Sequence, residues 1–311
     1  MKTFVTGASG YIGSHMCYEL RQKYPDCIIV GVDKVQKHKL EHLYDDFMCY
    51  DLAKTNFCMF DRYKADCIFH FAAYASVPEG EEKPFSYYYN NLMSSMRILD
   101  EAIYHGIKNF IFSSSCAVYG RPDYHGQPVD EYAYEMPESV YANTKYMFEQ
   151  ILEAAQKEHK INAGILRYFN AAGRNVEAGL YEEHNPETHL IPNLMKEKVV
   201  KVYGNEYPTR DGTAVRDYIH VIDLCKAHIK AYEYMRDNDK GILCNLGTGK
   251  GYSVLEVIAE VQKITGLKEI KFHPPRDGDV PELYSDVSRM RNELHFTPEH
   301  DIVSIIESMR K

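Results

Sequence analysis

Along the first 168 residues, short apolar runs alternate with longer stretches in which apolar residues recur every three or four positions. The short runs are Thr3–Thr6, Cys27–Val32, Phe47–Tyr50, Cys67–Phe71, Asn109–Ser113 and Asn162–Tyr168. They are nearly continuous, as strands buried on both faces must be. The longer stretches, Tyr11–Tyr24, Phe85–His105 and Ser139–His159, read as helices. In the last of these, Tyr146, Gln150 and Glu153 mark a polar face, while Phe148, Ile151, Leu152 and Ala155 face a core. Strands buried on both faces and joined by helices predict a parallel sheet covered on each side, and right-handed crossovers make it doubly wound.

After Phe169 the rhythm breaks. Segments rich in Pro, Gly and Asn (Ala171–Pro192, Gly204–Gly212, His273–Pro281) read as loops with short elements between them. Two regular stretches, Val221–Arg236 and Ser253–Thr265, read as helices. The expected fold class is therefore α/β: a doubly wound, Rossmann-type parallel sheet over residues 1–169 and a smaller, loop-rich C-terminal region over 170–311. Segment 217–242 is expected to pack back onto the first domain. No internal repeat or low-complexity linker separates the two parts, so they should be tightly joined.

Composition enters by exclusion. The net charge is −9 and no Lys/Arg block stands out, which argues against nucleic acid or an anionic membrane as partner. An anion site must then be built locally, against the overall charge. No apolar run approaches the ~20 residues that span a bilayer, and the N-terminus enters a glycine turn before any signal-peptide core. The eight cysteines show neither a CxxC pair nor framework spacing. They read as reduced, buried small hydrophobes, which sets cytoplasmic location and no metal site as the expectation.

Chemistry begins where the first strand ends. Gly7, Gly10 and Gly13 recur at three-residue spacing between that strand and the first helix. Gly7 permits a tight turn, Gly10 lets backbone approach a pyrophosphate, and Gly13 lets the helix pack close to the strand. The helix start adds free N–H groups and a positive dipole end. Asp33 follows the second strand, 20 residues past Gly13, where an acid accepts hydrogen bonds from ribose hydroxyls and repels a 2′-phosphate. NAD is thereby favoured over NADP, although Lys34 beside it offers a cation to an extra phosphate. Asp51-Leu52 would cap the adenine pocket, and Phe71-Ala72-Ala73 would lie beside the pyrophosphate.

Tyr141 and Lys145 form a Tyr-x-x-x-Lys pair on one helix face. A free phenol, with pKa near 10, is a poor base at neutral pH; a nearby ammonium and a positive nicotinamide ring favour the phenolate. Upstream, Ser113-Ser114-Ser115 ends a strand at the carboxyl edge of the sheet, where doubly wound folds place ligands. Ser115 is the hydroxyl placed to hydrogen-bond the substrate oxygen that Tyr141 deprotonates.

With these motifs in order, the whole chain resembles the extended short-chain dehydrogenase/reductases, and within them the UDP-glucose 4-epimerases. The resemblance is carried by TGASGYIGSH (6–15), HFAA (70–73), YYNN (88–91), FSSSCAVYG (112–120), YANTK (141–145), RYFNAAG (167–173), HLIPNL (189–194), the long segment 203–224, NLGTGKGYSV (245–254) and PPRDGDVPELYSD (274–286). It implies that Tyr11, Ile12, Asn90, Ser113 and Tyr168 join Gly7, Gly10, Gly13, Asp33, Lys34, Asp51, Leu52, Phe71, Ala72, Tyr141 and Lys145 around NAD. It also implies that Asn170, Leu190, Tyr203, Arg216, Arg276 and Asp279, with Ser115 and Tyr141, hold a UDP-sugar in a homodimeric enzyme. The two arginines would supply bidentate donors to a diphosphate; the competing reading is a surface ion pair with Asp217 or Asp277.

The implied reaction exchanges UDP-glucose and UDP-galactose. The Tyr takes the C4 hydroxyl proton as hydride leaves, the 4-keto sugar turns over, and both return. Two departures from the family pattern stand out. Ala75 replaces a lysine that reaches the cofactor phosphates, which implies weaker cofactor binding, and Leu283 replaces an aromatic residue that shapes the hexose pocket. Cys116 and Ala117 stand where dehydratases carry an acid pair, which argues against dehydration. Another UDP-sugar as substrate, or a non-enzymatic NAD-sensing role, are the alternatives; retention of Ser115, Tyr141 and Lys145 together argues against the second.

Overall fold

The computed structural model describes all residues but 55–59, 61–62, 123–125, 159, 184–186, 267, 277 and 311. Cys58, Asp277 and the final residue of the third expected helix, His159, thus lie outside the described residues. Six strands in the first half, β1 (Lys2–Thr6), β2 (Ile28–Asp33), β3 (Asp46–Cys49), β4 (Cys67–His70), β5 (Asn109–Ser115) and β6 (Asn162–Tyr168), fall within a residue or two of their expected positions. A later strand, β10 (Ile242–Leu246), completes a seven-stranded sheet in the order β10-β6-β5-β4-β1-β2-β3, every pairing parallel.

The continuous apolar runs have a direct cause, since alternate residues of each strand enter different cores. Val5, Phe69, Ile111 and Leu166 join one buried cluster. Their neighbours Phe4, Ile68, Phe110 and Ile165 join the other. On the first face pack α1 (Tyr11–Lys23) and α4 (Val221–Asn238). On the second pack α2 (Ser94–Tyr104) and α3 (Val140–Lys157). Strand order reverses on either side of β1, so the crevice opens beyond the carboxyl ends of β1 and β4.

The expected helix Phe85–His105 is interrupted. Its central part, Tyr88–Met93, is a π-helical segment, and only from Ser94 does an α-helix run on to Tyr104. Such an insertion re-aims the residues within it and is a common feature of functional sites. Asn91 explains how it is held: its side-chain oxygen accepts from Tyr74 N at 2.8 Å, and its amide donates to Tyr74 O and Thr144 Oγ1, each at 3.1 Å.

Beyond Phe169 the pattern of loops hides real strands. β7 (Asn170–Ala172), β9 (Val215–His220), β11 (Gly251–Ser253) and β13 (Glu282–Leu283) form a small mixed sheet, and β8 (Val199–Tyr203) pairs with β12 (Glu269–His273). The segments read as Ala171–Pro192 and His273–Pro281 loops therefore begin inside strands, and the first runs on into a helix at Leu190–Lys196. The helix α5 (Val254–Thr265) starts where expected, because Ser253 and Glu256 form a reciprocal capping box. Residues 221–246 return to the large sheet through α4 and β10. No helix among the described residues is long and apolar enough to cross a membrane.

Candidate active site

The glycine turn closes tightly around its neighbours. Gly7 has φ of +71°, and a Cβ there would stand 2.9 Å from the backbone nitrogen of Ala72. A Cβ on Gly13 would stand 2.1 Å from the carbonyl oxygen of Gly7, so the helix can lie this close to the turn only without a side chain. One carboxylate oxygen of Asp33 accepts from Ser9 N at 3.0 Å, and the other from Val35 N at 3.3 Å. Burial raises the Asp33 carboxyl, and hydrogen bonds from Ser9, Val35 and Lys34 amides oppose the rise.

A groove of about 590 Å³, counting its open mouth, runs along this edge. Gly7, Gly10, Asp33, Lys34, Asp51, Leu52, Phe71, Ala72 and Asn90 all line it, with Tyr50, Ala53, Ala73, Tyr74 and Ser94. Tyr11 and Ile12 lie just beyond: Tyr11 donates its hydroxyl to Gly173 O at 2.6 Å, tying the turn to the C-terminal part, and Ile12 packs half-buried on the core beneath α4. Lys34 is spoken for. Its Nζ donates to the Tyr74 hydroxyl at 3.1 Å and lies 4.1 Å from the centre of that ring. A cation from the end of β2 thus reaches the residue beside Ala75.

The residues expected to be catalytic come from β5 and α3. Ser139 caps α3 by accepting from Ala142 N at 3.1 Å, which starts the helix just before Tyr141. Lys145 is buried and donates to the Ser113 carbonyl at 2.7 Å. The side chains of Ser113 and Tyr168 are hydrogen-bonded to each other. Ser115 accepts from Ala117 N at 3.2 Å and contributes a hydrogen bond that lowers the Tyr141 pKa. Burial is the larger effect, with Tyr168 adding to it, so the phenol lies well above its ordinary value. Burial pulls Lys145 down to about 7. Within the protein alone, the ammonium does not bring the phenol into working range. Burial pushes each of the two groups towards its own neutral form, an arrangement typical of acid–base sites.

The residues expected at the UDP end gather beside it. Burial raises the Tyr207 phenol, Asp279 adds to the rise, and Arg216, Arg121 and Arg276 oppose it, so these groups share one neighbourhood. The Tyr207 hydroxyl is buried and has no hydrogen-bond partner among the described residues. The Arg276 guanidinium lies 4.0 Å from the Tyr203 ring centre. Asn170 donates to Asp217 O at 2.8 Å, while Leu190 begins its short helix against the C-terminal core. Burial pushes the Cys116 thiol up to about 12 with Arg216 opposing, and Cys116 in turn acts on Tyr141. Cys116 thus lies within electrostatic reach of both Arg216 and Tyr141.

The competing ion-pair reading fails for Arg216. Asp217 is fully buried, accepting from Thr248 N and Oγ1 and from Ser285 Oγ, while Arg216 donates to Val215 O. Adjacent strand residues point to opposite faces, which separates the two charges. Leu283, only 6% exposed, belongs to an apolar cluster with Val118, Tyr119 and Phe169 against which Cys116 packs. Tyr74, Tyr207 and Arg121 carry no motif spacing that marks them in the sequence; the structure alone brings them to the site.

The chain resembles known proteins along nearly its whole length. The family described as NAD dependent epimerase/dehydratase matches residues 3–247. A UDP-glucose 4-epimerase of Rhizobium meliloti (strain 1021) is 36% identical over 318 residues, covering 98% of this chain and 94% of the relative. The structure of UDP-glucose 4-epimerase from Bifidobacterium longum in complex with NAD+ and UDP is 33% identical with a TM-score of 0.89, covering 99% of this chain and 96% of that one. The UDP-Glc/GlcNAc 4-epimerase of Campylobacter jejuni is 32% identical with a TM-score of 0.82, covering 99% and 97%.

Proposed function

The chain belongs to the NAD dependent epimerase/dehydratase family, and from that premise we propose that it is a UDP-sugar 4-epimerase that interconverts UDP-glucose and UDP-galactose. The observation that carries the reading is the presence of three parts in one fold: a groove lined by the glycine turn and Asp33, the Ser115–Tyr141–Lys145 group, and the Arg216–Arg276–Asp279 neighbourhood. The cradle fits a dinucleotide, because side chains at Gly7 and Gly13 would fill the space that backbone must occupy beside a pyrophosphate. Gly7, Gly10, Tyr11, Ile12, Gly13, Asp33, Lys34, Asp51, Leu52, Phe71, Ala72, Asn90, Ser113, Tyr141, Lys145 and Tyr168 are the residues proposed to hold it. When bound, NAD would supply a hydride acceptor that also returns the hydride, together with the positive charge of its oxidised ring.

The chain's own residues do the rest. Tyr141 takes the proton from the sugar C4 hydroxyl and later gives it back, and Ser115 orients that hydroxyl. Lys145 offers the charge that favours phenolate. Arg216 and Arg276 grip the diphosphate, with Asn170, Leu190, Tyr203 and Asp279 around the uridine end. Anchoring the nucleotide rather than the sugar leaves the hexose free to turn and expose its other face. Residues 1–169, with 217–242 returning to them, would form the cofactor half, and 170–311 the UDP half. A homodimer is part of the same proposal, supported by Phe85, Tyr89, Met96, Tyr104 and Met147, all exposed along the 84–104 and 140–157 helical stretches. Cytoplasmic location is supported by the absence of a disulfide among the seven described cysteines.

A second reading has its own observation. Leu283 is smaller than an aromatic residue and packs by Cys116 at the hexose end, which favours partial entry of N-acetylated sugars. Incubating purified protein with a panel of UDP-sugars and separating the products tests both. Conversion of UDP-galactose to UDP-glucose is expected, with slower conversion of UDP-N-acetylglucosamine; turnover confined to uronate or pentose derivatives would refute the main assignment.

A further inference from the structure

The helix that carries Tyr141 and Lys145 places one more ionisable residue at the next four-residue step. Glu149 shares their face and is 2% exposed. Its carboxylate accepts from Arg167 Nη2 at 2.6 Å and from Nε at 3.1 and 3.2 Å, and Ser114 Oγ donates to it as well. Arg167, itself 1% exposed, also donates to Glu135 at 2.7 Å and lies 4.9 Å from the Tyr119 ring centre. The tripeptide at the end of β5 serves three successive helical turns: Ser115 faces Tyr141, the Ser113 carbonyl takes Lys145, and Ser114 reaches Glu149.

We propose that Glu149 is a positioning residue for the epimerisation, its buried carboxylate holding Lys145 as the ammonium that Tyr141 requires. The inference rests on the roles given above to Tyr141 and Lys145. Buried ions persist only when paired, and Lys145 has few partners. Its own helix offers Tyr141 and Glu149; β5 offers the Ser113 carbonyl and the Phe112 ring; β4 offers His70; β6 offers Tyr168 through Ser113. His70 is neutral, held down to about 3 by burial with Lys145 adding. Among these described neighbours Glu149 is the one with a charge opposite to the ammonium. Burial pulls Lys145 down, and Glu149 is the group that opposes it. Arg167 and Ser114 in turn oppose the burial that would neutralise Glu149.

A merely structural Glu149–Arg167 staple would lower stability and turnover evenly across pH. Acting through Lys145 predicts something different. In Glu149→Gln, the Lys145 ammonium should lose its proton at least about one pH unit lower, read by NMR titration of ¹³Cε-labelled lysine with Lys145→Arg as the assignment control. The alkaline limb of kcat should move down with it, so that the loss of rate is roughly fivefold greater at pH 8 than at pH 6. Ser114→Ala, which keeps the ion pair and removes one hydrogen bond, should shift both readouts the same way by less; it stands in if Glu149→Gln does not fold. An unchanged Lys145 titration in these variants overturns the inference. A wild-type protein that titrates as described yet epimerises no UDP-sugar would instead refute the functional reading.

Discussion

Gly13→Ala tests the cofactor cradle through a single methyl group. The added Cβ would stand 2.1 Å from the Gly7 oxygen, 2.8 Å from its carbonyl carbon and 3.0 Å from the Ala8 Cα, all backbone atoms that cannot rotate aside. Ordinary van der Waals contact begins at 3.4 Å, so the helix or the turn must withdraw by about 1.3 Å. The start of α1 is not free to do so, because Tyr11 is bonded to Gly173 and Met16, Cys17 and Leu20 are fully buried beneath α4. Overpacking of this kind costs about 1–3 kcal/mol. The melting temperature should drop by roughly 1.5–5 °C. The turn amides move with the helix, so NAD affinity should fall at least about tenfold, which is ~1.4 kcal/mol of lost binding. Gly10→Ala makes a useful contrast, since its Cβ would meet the Gly7 oxygen at 3.1 Å, a far smaller intrusion. It should leave the melting temperature nearly unchanged while weakening NAD binding, because Gly10 lines the groove. Differential scanning fluorimetry and quantification of NAD released on denaturation check both variants. A Gly13→Ala protein with unaltered melting temperature and cofactor content would show that close helix packing is not what shapes this site.

Three further outcomes follow. Tyr141→Phe keeps the ring and removes the phenol, so epimerisation should fall by at least ~10²-fold with nucleotide binding little changed; near-normal turnover in a coupled assay would end its assignment as the base. Leu283→Ala should speed conversion of UDP-N-acetylglucosamine relative to UDP-glucose, a graded change of ~1–3 kcal/mol in discrimination, and inactivity on the N-acetylated sugar in both proteins would place specificity on another wall. Burial holds His15 and His228 down to about 4, and His70 and His220 down to about 3. The unfolded chain therefore binds more protons than the folded one from about pH 6.5 downward, and stability falls as pH falls through that window. Each such imidazole contributes up to about 1.4 kcal/mol per pH unit, so urea midpoints should fall steeply between pH 6.5 and 4; a flat profile would contradict the neutral, buried state of these rings.

What the sequence discloses is uneven for physical reasons. The parallel strands are legible because both faces of each are buried, which leaves continuous runs such as Ile28–Asp33. The glycine turn is legible because only a residue without a Cβ fits beside Gly7 and Ala72. The strand Ile242–Leu246 is harder to see, being five residues long and carrying Asn245, whose amide is satisfied by Val129 O and whose side-chain oxygen accepts from Tyr119. The π-helical segment at Tyr88–Met93 leaves no mark in an apolar pattern of ordinary helical period. Contacts such as Lys34 on Tyr74 or the gathering of Arg121, Arg216 and Arg276 near Tyr207 join residues far apart in the chain, so no local spacing encodes them.

The central claim is that hydride leaves C4 of the sugar and comes back to the same carbon without net oxidation. UDP-galactose deuterated at C4 tests it in one incubation with purified protein and no added reductant, with the product examined by NMR and mass spectrometry. The account predicts UDP-glucose that retains deuterium at C4, with no stoichiometric accumulation of NADH. UDP-glucose whose C4 deuterium has been exchanged for solvent hydrogen would contradict it.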